Sequence, residues 1–401
     1  MLNIFCSSVF IANEYDSLKK KCRGNLSLAD HNLNNNLIKG LIECGEKVVL
    51  VNSTPIPSFP NFKGIFIKKR KFSYTGNENE DVDIGYINLP FIKPFLKYRA
   101  AYKSLCKIIE GAGAQKVNIL VYDLHPFFAK AITKAKKRYK KVNTTAVLPD
   151  IPDVMLKVVY GDNPSKKALS FTNEKMKYIN SFDSYVFVSA LMSEKVDVKD
   201  KPFTVVEGIY NESAVDFDLN RKPEKAILYS GLLRTAYGVK TLIDVFKNMQ
   251  DKSIKLWLCG SGELTAYAKE AAAENENIEY FGYLNTKDLR ERQNKAYALI
   301  NPRPDGEDFT RYSFPSKTME YLASGKPVIG YLLAGYPQEY CEYLYVPKAD
   351  TQDALQQAIT DLFNQDTDAV AAHCEKARAF ILKNKNPKNQ CEKIQQMLKN
   401  I

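Results

Sequence analysis

Histidine is scarce in this sequence. Only three histidines occur in 401 residues, and none stands at ligand spacing from a cysteine, so no structural metal is expected. Eight cysteines (Cys6, Cys22, Cys44, Cys106, Cys259, Cys341, Cys374 and Cys391) are scattered without a C-x-x-C pair. In a chain this long, that pattern predicts reduced thiols in a cytosolic protein rather than a disulfide frame. No run of about twenty apolar residues is present, so no membrane-spanning helix is expected. The opening M-L-N-I-F-C-S-S-V-F-I-A-N lacks a basic n-region. It reads as a first strand and not as a signal peptide. No G-x-G-x-x-G follows that strand, which argues against a dinucleotide-binding oxidoreductase. No internal repeat or low-complexity tract is apparent. D-V-D at Asp81–Asp83 has the form of an Asp-x-Asp metal motif, but its polar surroundings read as loop acid.

What is present suits two α/β domains. The length is long for one domain and comfortable for two, and an apolar content of 45% is ordinary for a globular protein. The net charge is +11, and it is unevenly placed. Residues 1–200 hold 31 Lys and Arg against 19 Asp and Glu, a net +12, and the remainder hold 26 against 27. The densest runs are Lys68-Lys69-Arg70-Lys71 and K-A-K-K-R-Y-K-K at Lys134–Lys141. An excess of this size over one half of the chain points to an anionic partner, such as an acidic lipid surface or a phosphate-bearing acceptor. Nucleic acid would suit the charge too, but no nucleic-acid-binding motif accompanies it.

The first half opens with a strand over 2–12 that ends in the small-residue loop Cys6-Ser7-Ser8. A polar loop is expected from Arg23 to Asp30. Leu33, Leu37, Ile38 and Leu41 repeat at helical spacing between Asn32 and Cys44. Lys47 to Asn52 is a second strand, and this strand–helix–strand unit opens a Rossmann-like domain. Residues 53–95 hold short strands at best, near Gly64–Ile67 and Ile84–Ile87. A helix mixing apolar and basic residues is expected from Phe91 to Glu110. Its Phe91, Phe95 and Tyr98 are assigned to core packing in preference to lipid contact. V-N-I-L-V-Y at Val117–Tyr122 is a buried strand followed by Asp123-Leu124-His125-Pro126. Asp123 and His125 thus fall at a strand's carboxyl end, the edge where open α/β sheets bind ligands. Asp150 follows the strand Thr144–Leu148 at the same edge and is a candidate for binding an acceptor hydroxyl. Ser184–Ser189 and Phe203–Glu207 complete this sheet.

A polar linker is expected over Asn211–Glu224, and a second α/β domain starts at Ala226–Ser230. Its first strand-to-helix loop runs G-L-L-R-T-A-Y-G from Gly231 to Gly238. Ile254–Cys259 is a strand ending in Gly260-Ser261-Gly262, where glycine permits close backbone approach. Ile278–Phe281 is another, ending in Gly282-Tyr283. Tyr340–Val346 is read as a last strand. Helices are expected at Asp353–Phe363, Thr367–Asn384 and Lys388–Ile401.

The most informative stretch is Ala298 to Gly330, A-L-I-N-P-R-P-D-G-E-D-F-T-R-Y-S-F-P-S-K-T-M-E-Y-L-A-S-G-K-P-V-I-G. It reads as strand, polar loop, helix, strand. Pro315 suits a first helical turn, and Gly325 suits the left-handed stop, giving a helix of about three turns. The free N–H groups at that helix's start favour an anion. Lys317 sits in the first turn, Arg303 begins the loop, and Glu320 shares a face with Lys317. A phosphate at the helix tip, with a ribose diol at Glu320, would satisfy all three. An ordinary ion pair between Lys317 and Glu320 on a surface helix is the competing explanation.

The order of these residues resembles the donor-binding segment of glycosyltransferase family 4. Those are retaining, nucleotide-sugar-dependent enzymes of GT-B fold. F-P-S-K followed by E-Y-L-A-S-G-K-P-V is most similar to the bacterial surface-polysaccharide branch. The resemblance implies an α/β chain with two Rossmann-like domains facing an interdomain cleft. An acceptor domain would span 1–210 and a donor domain 211–385, and a helix over 386–401 would pack back on the first domain. By the same resemblance, Gly231, Arg234, Ser313, Phe314, Pro315 and Ser316 hold the donor diphosphate with Arg303 and Lys317. Glu320 binds the ribose, Gly282 and Tyr283 face the base, and His125 lies near the reacting sugar. Three positions depart from the family pattern. Tyr312 stands where a Glu often contacts the donor sugar, Leu232 where an Arg is common, and Tyr237 where a Lys is common.

The reading is a metal-independent glycosyltransferase without a resident cofactor. It would move a sugar from a UDP- or GDP-sugar to a glycan hydroxyl, on a lipid-linked acceptor at the inner face of the cytoplasmic membrane. In the front-face mechanism that the resemblance implies, the leaving phosphate takes the acceptor proton. The absence of the two carboxyls that a glycoside hydrolase needs across the scissile bond therefore fits. The alternative is a catalytically degenerate GT-B protein that binds a nucleotide-sugar or partners another transferase.

Overall fold

The computed structural model describes residues 1–11, 14–24, 26, 29–76, 80–211, 222–306 and 308–401. They divide into two units, Met1–Ile209 with Asn386–Ile401, and Tyr210–Lys385.

The first unit is built on ten strands: β1 (Leu2–Ser7), β2 (Lys47–Asn52), β3 (Phe66–Ile67), β4 (Arg70–Phe72), β5 (Asp81–Asp83), β6 (Tyr86–Ile87), β7 (Val117–Tyr122), β8 (Val142–Leu148), β9 (Ser184–Phe187) and β10 (Phe203–Val205). Eight of them form one sheet in the order β10-β9-β8-β7-β1-β2-β5-β4. All pair in parallel except β4, which runs antiparallel to β5. β3 and β6 form a separate antiparallel pair. Strands with every residue buried, such as β1 and β7, are what a parallel sheet covered on both faces requires. Their few polar residues satisfy one another. Asn118 donates to Asn3, and Thr145 donates to Asn118 and pairs with Ser184, so one polar row crosses β1, β7, β8 and β9.

The helix Pro387–Lys399 belongs to this first unit. Its Cys391, Ile394, Met397 and Leu398 share a core cluster with Leu37, Ile38 and Leu41 of the helix Ala29–Glu43. Gln390 Nε2 also donates to the Gly208 carbonyl at 2.9 Å.

The second unit carries β11 (Glu224–Leu232), β12 (Lys255–Ser261), β13 (Ile278–Gly282), β14 (Ala296–Asn301) and β15 (Val328–Gly330). They form an all-parallel sheet in the order β13-β12-β11-β14-β15. The helix Val239–Asn248 packs Leu242, Ile243 and Phe246 into its core.

Several local expectations change. Most of the expected linker, residues 212–221, lies outside the described residues, as does part of the expected loop at 23–30. Glu224 is already in a strand. Tyr340–Val346 is not a strand. A 3-10 turn at Gln338–Tyr340 and a single bridge from Tyr345 to Ile329 stand there instead. Asp81 and Asp83 are not loop acids but members of a sheet strand, and both are fully buried. Asp81 accepts from the backbone N–H groups of Leu50, Tyr74 and Thr75, and Asp83 pairs with Arg70. Their lone pairs are spent on protein donors, as buried carboxylates require.

The helix expected from Phe91 runs Lys93–Gly111. Phe91 stands outside it and is 97% exposed, and Phe95 is 54% exposed, so neither packs in the core. No helix among the described residues is long and apolar enough to cross a membrane.

Candidate functional site

In a parallel sheet all strands end at one edge, and the second unit's loops gather there. β11 ends at Gly231-Leu232, β12 at Gly260-Ser261, β13 at Gly282 and β14 at Asn301. Gly260 takes a φ of 134°, and a Cβ there would lie 1.8 Å from the Gly231 carbonyl oxygen. Glycine at 260 thus lets the two loops touch.

The helix that follows Arg303 runs Ser316–Ala323, two turns and not three. Pro315 is its N-cap, one residue outside the first turn. The helix ends because Ser324 bonds back to Tyr321 and Gly325 takes a φ of 71°. A short helix at Asp308–Arg311 interrupts the loop expected over 301–313.

A cavity of about 200 Å³ opens between the β11 loop and this helix. Gly231, Arg303, Pro315, Ser316 and Lys317 all line it, so the structure brings these five together. Lys317 Nζ donates to Ser230 Oγ at 3.3 Å. Ser230 is itself held by Tyr321, whose hydroxyl accepts from the Ser230 amide at 3.2 Å. The Arg303 guanidinium lies 4.5 Å from the centre of the Tyr237 ring and 5.2 Å from that of Phe309. Two cations and a helix N-terminus at one small cavity make a site for an anion. Lys317 points at Ser230 and not at Glu320, which removes the simple helix-surface ion pair as an account of these residues.

Other sequence candidates are placed differently. Ser313 donates its hydroxyl to the Phe309 carbonyl, and Phe314 is buried against Tyr336 and Tyr340. Neither side chain lines the cavity. Arg234 caps the 3-10 turn Thr235–Tyr237 near Glu263, outside the lining. Glu320 is half-buried beside Arg290, whose guanidinium burial pushes down and Glu320 pushes up. Tyr283 follows Gly282 at the end of β13 and is 83% exposed. Tyr229, Tyr237, Asn301 and Tyr321 also line the cavity or its floor. Sequence reasoning missed their roles because the partners, such as Ser230 and Tyr321, lie far apart in the chain.

The first unit has its own candidate cluster at the corresponding edge. β7 and β8 pair in register through Tyr122 and Val147, so Asp123 and Asp150 leave the sheet at one edge. Asp123 and Leu124 take positive φ angles of 55° and 30°, a cost usually met only where function demands it. Asp123 Oδ1 accepts from Lys175 Nζ at 2.6 Å. His125 caps the helix Pro126–Arg138 and stacks on Phe127 at 5.8 Å. Desolvation pushes its pKa down to about 4, with Asp123 opposing and Lys175 and Lys97 reinforcing. His125 is therefore neutral at pH 7.

Between about 4 and the ordinary 6.5 the unfolded chain binds a proton at His125 that the folded chain does not. This histidine thus makes stability rise with pH across that window. Melting temperatures across it should climb less steeply for His125→Gln than for the wild type; parallel curves would contradict the shift.

Among the described residues no group of three or more His, Cys, Asp or Glu is placed to hold a metal ion. The cavity at 230–321 instead gathers Lys317, Arg303 and the start of a helix in an α/β domain. Residues 224–365, most of the second unit, match the family model described as glycosyl transferases group 1. A search of curated proteins gives no significant match. Among solved structures, the chain resembles sucrose-phosphate synthase from Thermosynechococcus elongatus at 13% identity and TM-score 0.64, covering 100% of this chain and 99% of that one. It resembles a glycosyltransferase from Rickettsia africae at 16% identity and TM-score 0.60, with the same coverage. TarM matches at 14% identity and TM-score 0.55, over 80% of this chain and 61% of TarM. The fold is therefore that of the GT-B glycosyltransferases, and the second unit matches the model of the group 1 glycosyl transferases.

Proposed function

We propose that the protein transfers a sugar from a nucleoside-diphosphate sugar to a hydroxyl of a glycan acceptor with retention of configuration. The observation that carries this reading is the cavity at which Lys317, Arg303 and the start of the helix Ser316–Ala323 meet. A departing nucleoside diphosphate develops negative charge, and fixed cations and helix N–H groups aimed at that charge stabilise the transition state. Glu320 takes the ribose, and Gly282 with Tyr283 takes the base. On the first unit, His125, Asp123 and Asp150 receive the acceptor and the sugar. One solved TarM structure is described as a complex with fondaparinux, α-GlcNAc-glycerol and UDP, and UDP- or GDP-sugars are the proposed donors here. The basic first half suits a lipid-linked acceptor at an anionic membrane surface, in surface-polysaccharide synthesis.

Tyr237 supports the donor assignment despite its departure from the family pattern. Its ring carries Arg303, so a cation stands at the cavity where the usual lysine is missing. The degenerate alternative rests on Leu232, which puts an apolar side chain on the cavity wall, and on Tyr312, which is buried.

A thermal-shift panel of UDP-, GDP-, ADP- and CMP-sugars tests the reading. A ligand at about a hundred times its Kd stabilises the folded state by roughly 2.7 kcal/mol. One nucleotide class should raise the melting temperature. If none does, the cavity is not a nucleotide-sugar site. Binding without turnover on any lipid-linked acceptor would favour the degenerate reading.

A further inference from the structure

A depression wider than the donor cavity lies elsewhere. It lies on the first unit, between the β3–β6 pair and the helices Lys93–Gly111 and Pro126–Arg138. It measures about 960 Å³, and its walls include Phe66, Tyr86, Phe95, Tyr98, Tyr102 and Lys134. Large apolar side chains stand out of its walls and of the turn that leads into the helix Lys93–Gly111. On the walls Phe66 is 76% exposed and Phe95 54%, and in the turn Phe91 is 97% exposed, next to Ile92. Such a cluster is costly to leave in water and marks a surface that meets something.

The same face gathers cations. Lys69 and Lys71 come from the strand region after β3, and Lys103 and Lys107 from the helix Lys93–Gly111. They lie close enough for burial, then Lys107, Lys103 and Lys71, to push the Lys69 ammonium down. No carboxylate relieves Lys69 among those influences. Arg99 and Lys103 line the depression, and Lys134 sits over the Tyr102 ring at 4.8 Å. Aromatic side chains projecting through a ring of lysines suit one kind of partner above others. A protein interface would have to bury these like charges, whereas an anionic leaflet neutralises them while the rings enter its headgroup layer.

We propose that this face is a docking surface for an anionic phospholipid bilayer. Phe66, Phe91 and Phe95 enter the headgroup region, and Lys69, Lys71, Lys103 and Lys107 meet lipid phosphates. The inference rests on the membrane-surface reading above and assigns it to one face. It does not depend on the donor cavity, which lies on the other unit.

The test uses the full chain and two kinds of vesicle, phosphatidylcholine alone and phosphatidylcholine with phosphatidylglycerol. Wild type should float with the phosphatidylglycerol vesicles and little with the neutral ones. Each cation near an anionic leaflet contributes roughly fivefold to partitioning. Lys69→Glu with Lys103→Glu and Lys107→Glu should therefore lower binding at least a hundredfold. Phe91→Ser, at a side chain almost wholly in solvent, should lower it severalfold without changing the melting temperature. Lys166→Glu with Lys167→Glu and Lys195→Glu makes the same charge change elsewhere on the unit and should leave most of the binding intact.

If wild type floats and the face variants float equally well, the membrane reading stands and this face is not its site. If the control loses as much as the lysine variant, only net charge matters and the proposal falls. Failure of wild type to float, or a face-dependent binding to RNA without vesicle binding, overturns both. The nucleotide-sugar panel reports on the donor reading in every case.

Discussion

Lys317→Ala should lower kcat by about 10²–10³-fold, the range seen when one preorganised donor to a developing oxyanion is removed. Lys317 is in the first turn of the helix Ser316–Ala323, and its ammonium already rests against Ser230 at the cavity wall. The loss should appear in kcat and kcat/KM together, because the interaction strengthens as charge moves onto the leaving group. Glu320→Ala should behave differently. A ribose contact is made equally in the ground and transition states, so KM should rise with kcat largely retained. Steady-state kinetics with the donor that the thermal-shift panel identifies would separate the two. An unchanged kcat in Lys317→Ala would remove this lysine from the chemistry.

Asp83→Ala should destabilise the first unit by about 1–3 kcal/mol, the cost of leaving buried donors without their acceptor. Asp83 Oδ1 accepts from Asn52 Nδ2 at 3.0 Å and the Thr54 amide at 3.1 Å, and Oδ2 accepts from the Thr54 hydroxyl at 2.9 Å and Arg70 Nη2 at 2.8 Å. Alanine leaves the buried Thr54 amide and hydroxyl without their acceptor, while Arg70, 40% exposed, keeps Glu14. Asp83→Asn keeps one acceptor oxygen and should cost less. Urea denaturation followed by circular dichroism would measure both. A loss below about 1 kcal/mol for the alanine variant would show that the network relaxes around the gap.

The same aspartates show where sequence reading stops. Nothing local distinguishes D-V-D at 81–83 from loop acid. Its acceptors are filled by Leu50, Asn52 and Thr54, some thirty residues earlier, and by Arg70 and Thr75. The buried parallel strands were legible because an apolar run such as V-N-I-L-V-Y carries its own signal. The cavity was legible in part. Lys317, Arg303 and Gly231 were found from motif order, whereas Ser230 and Tyr321, which fix the lysine, are coupled only through the fold. Tyr340–Val346 misled because an apolar and aromatic run has the composition of a strand. Here Tyr340 is spent on a ring cluster with Phe314 and Phe380. Phe91 and Phe95 misled for the opposite reason. An aromatic in an amphipathic pattern is most often core, but Phe91 falls before the helix starts and Phe95 is more than half exposed on it.

The position of the helix Pro387–Lys399 has a consequence for biosynthesis. It belongs to the first unit, yet it is translated after the whole of the second. Domains generally fold in the order they leave the ribosome. Here the second unit, continuous from Tyr210 to Lys385, has all its strands before the first unit has its closing helix. Until then the groove formed by Leu37, Ile38 and Leu41 stands open on the nascent chain.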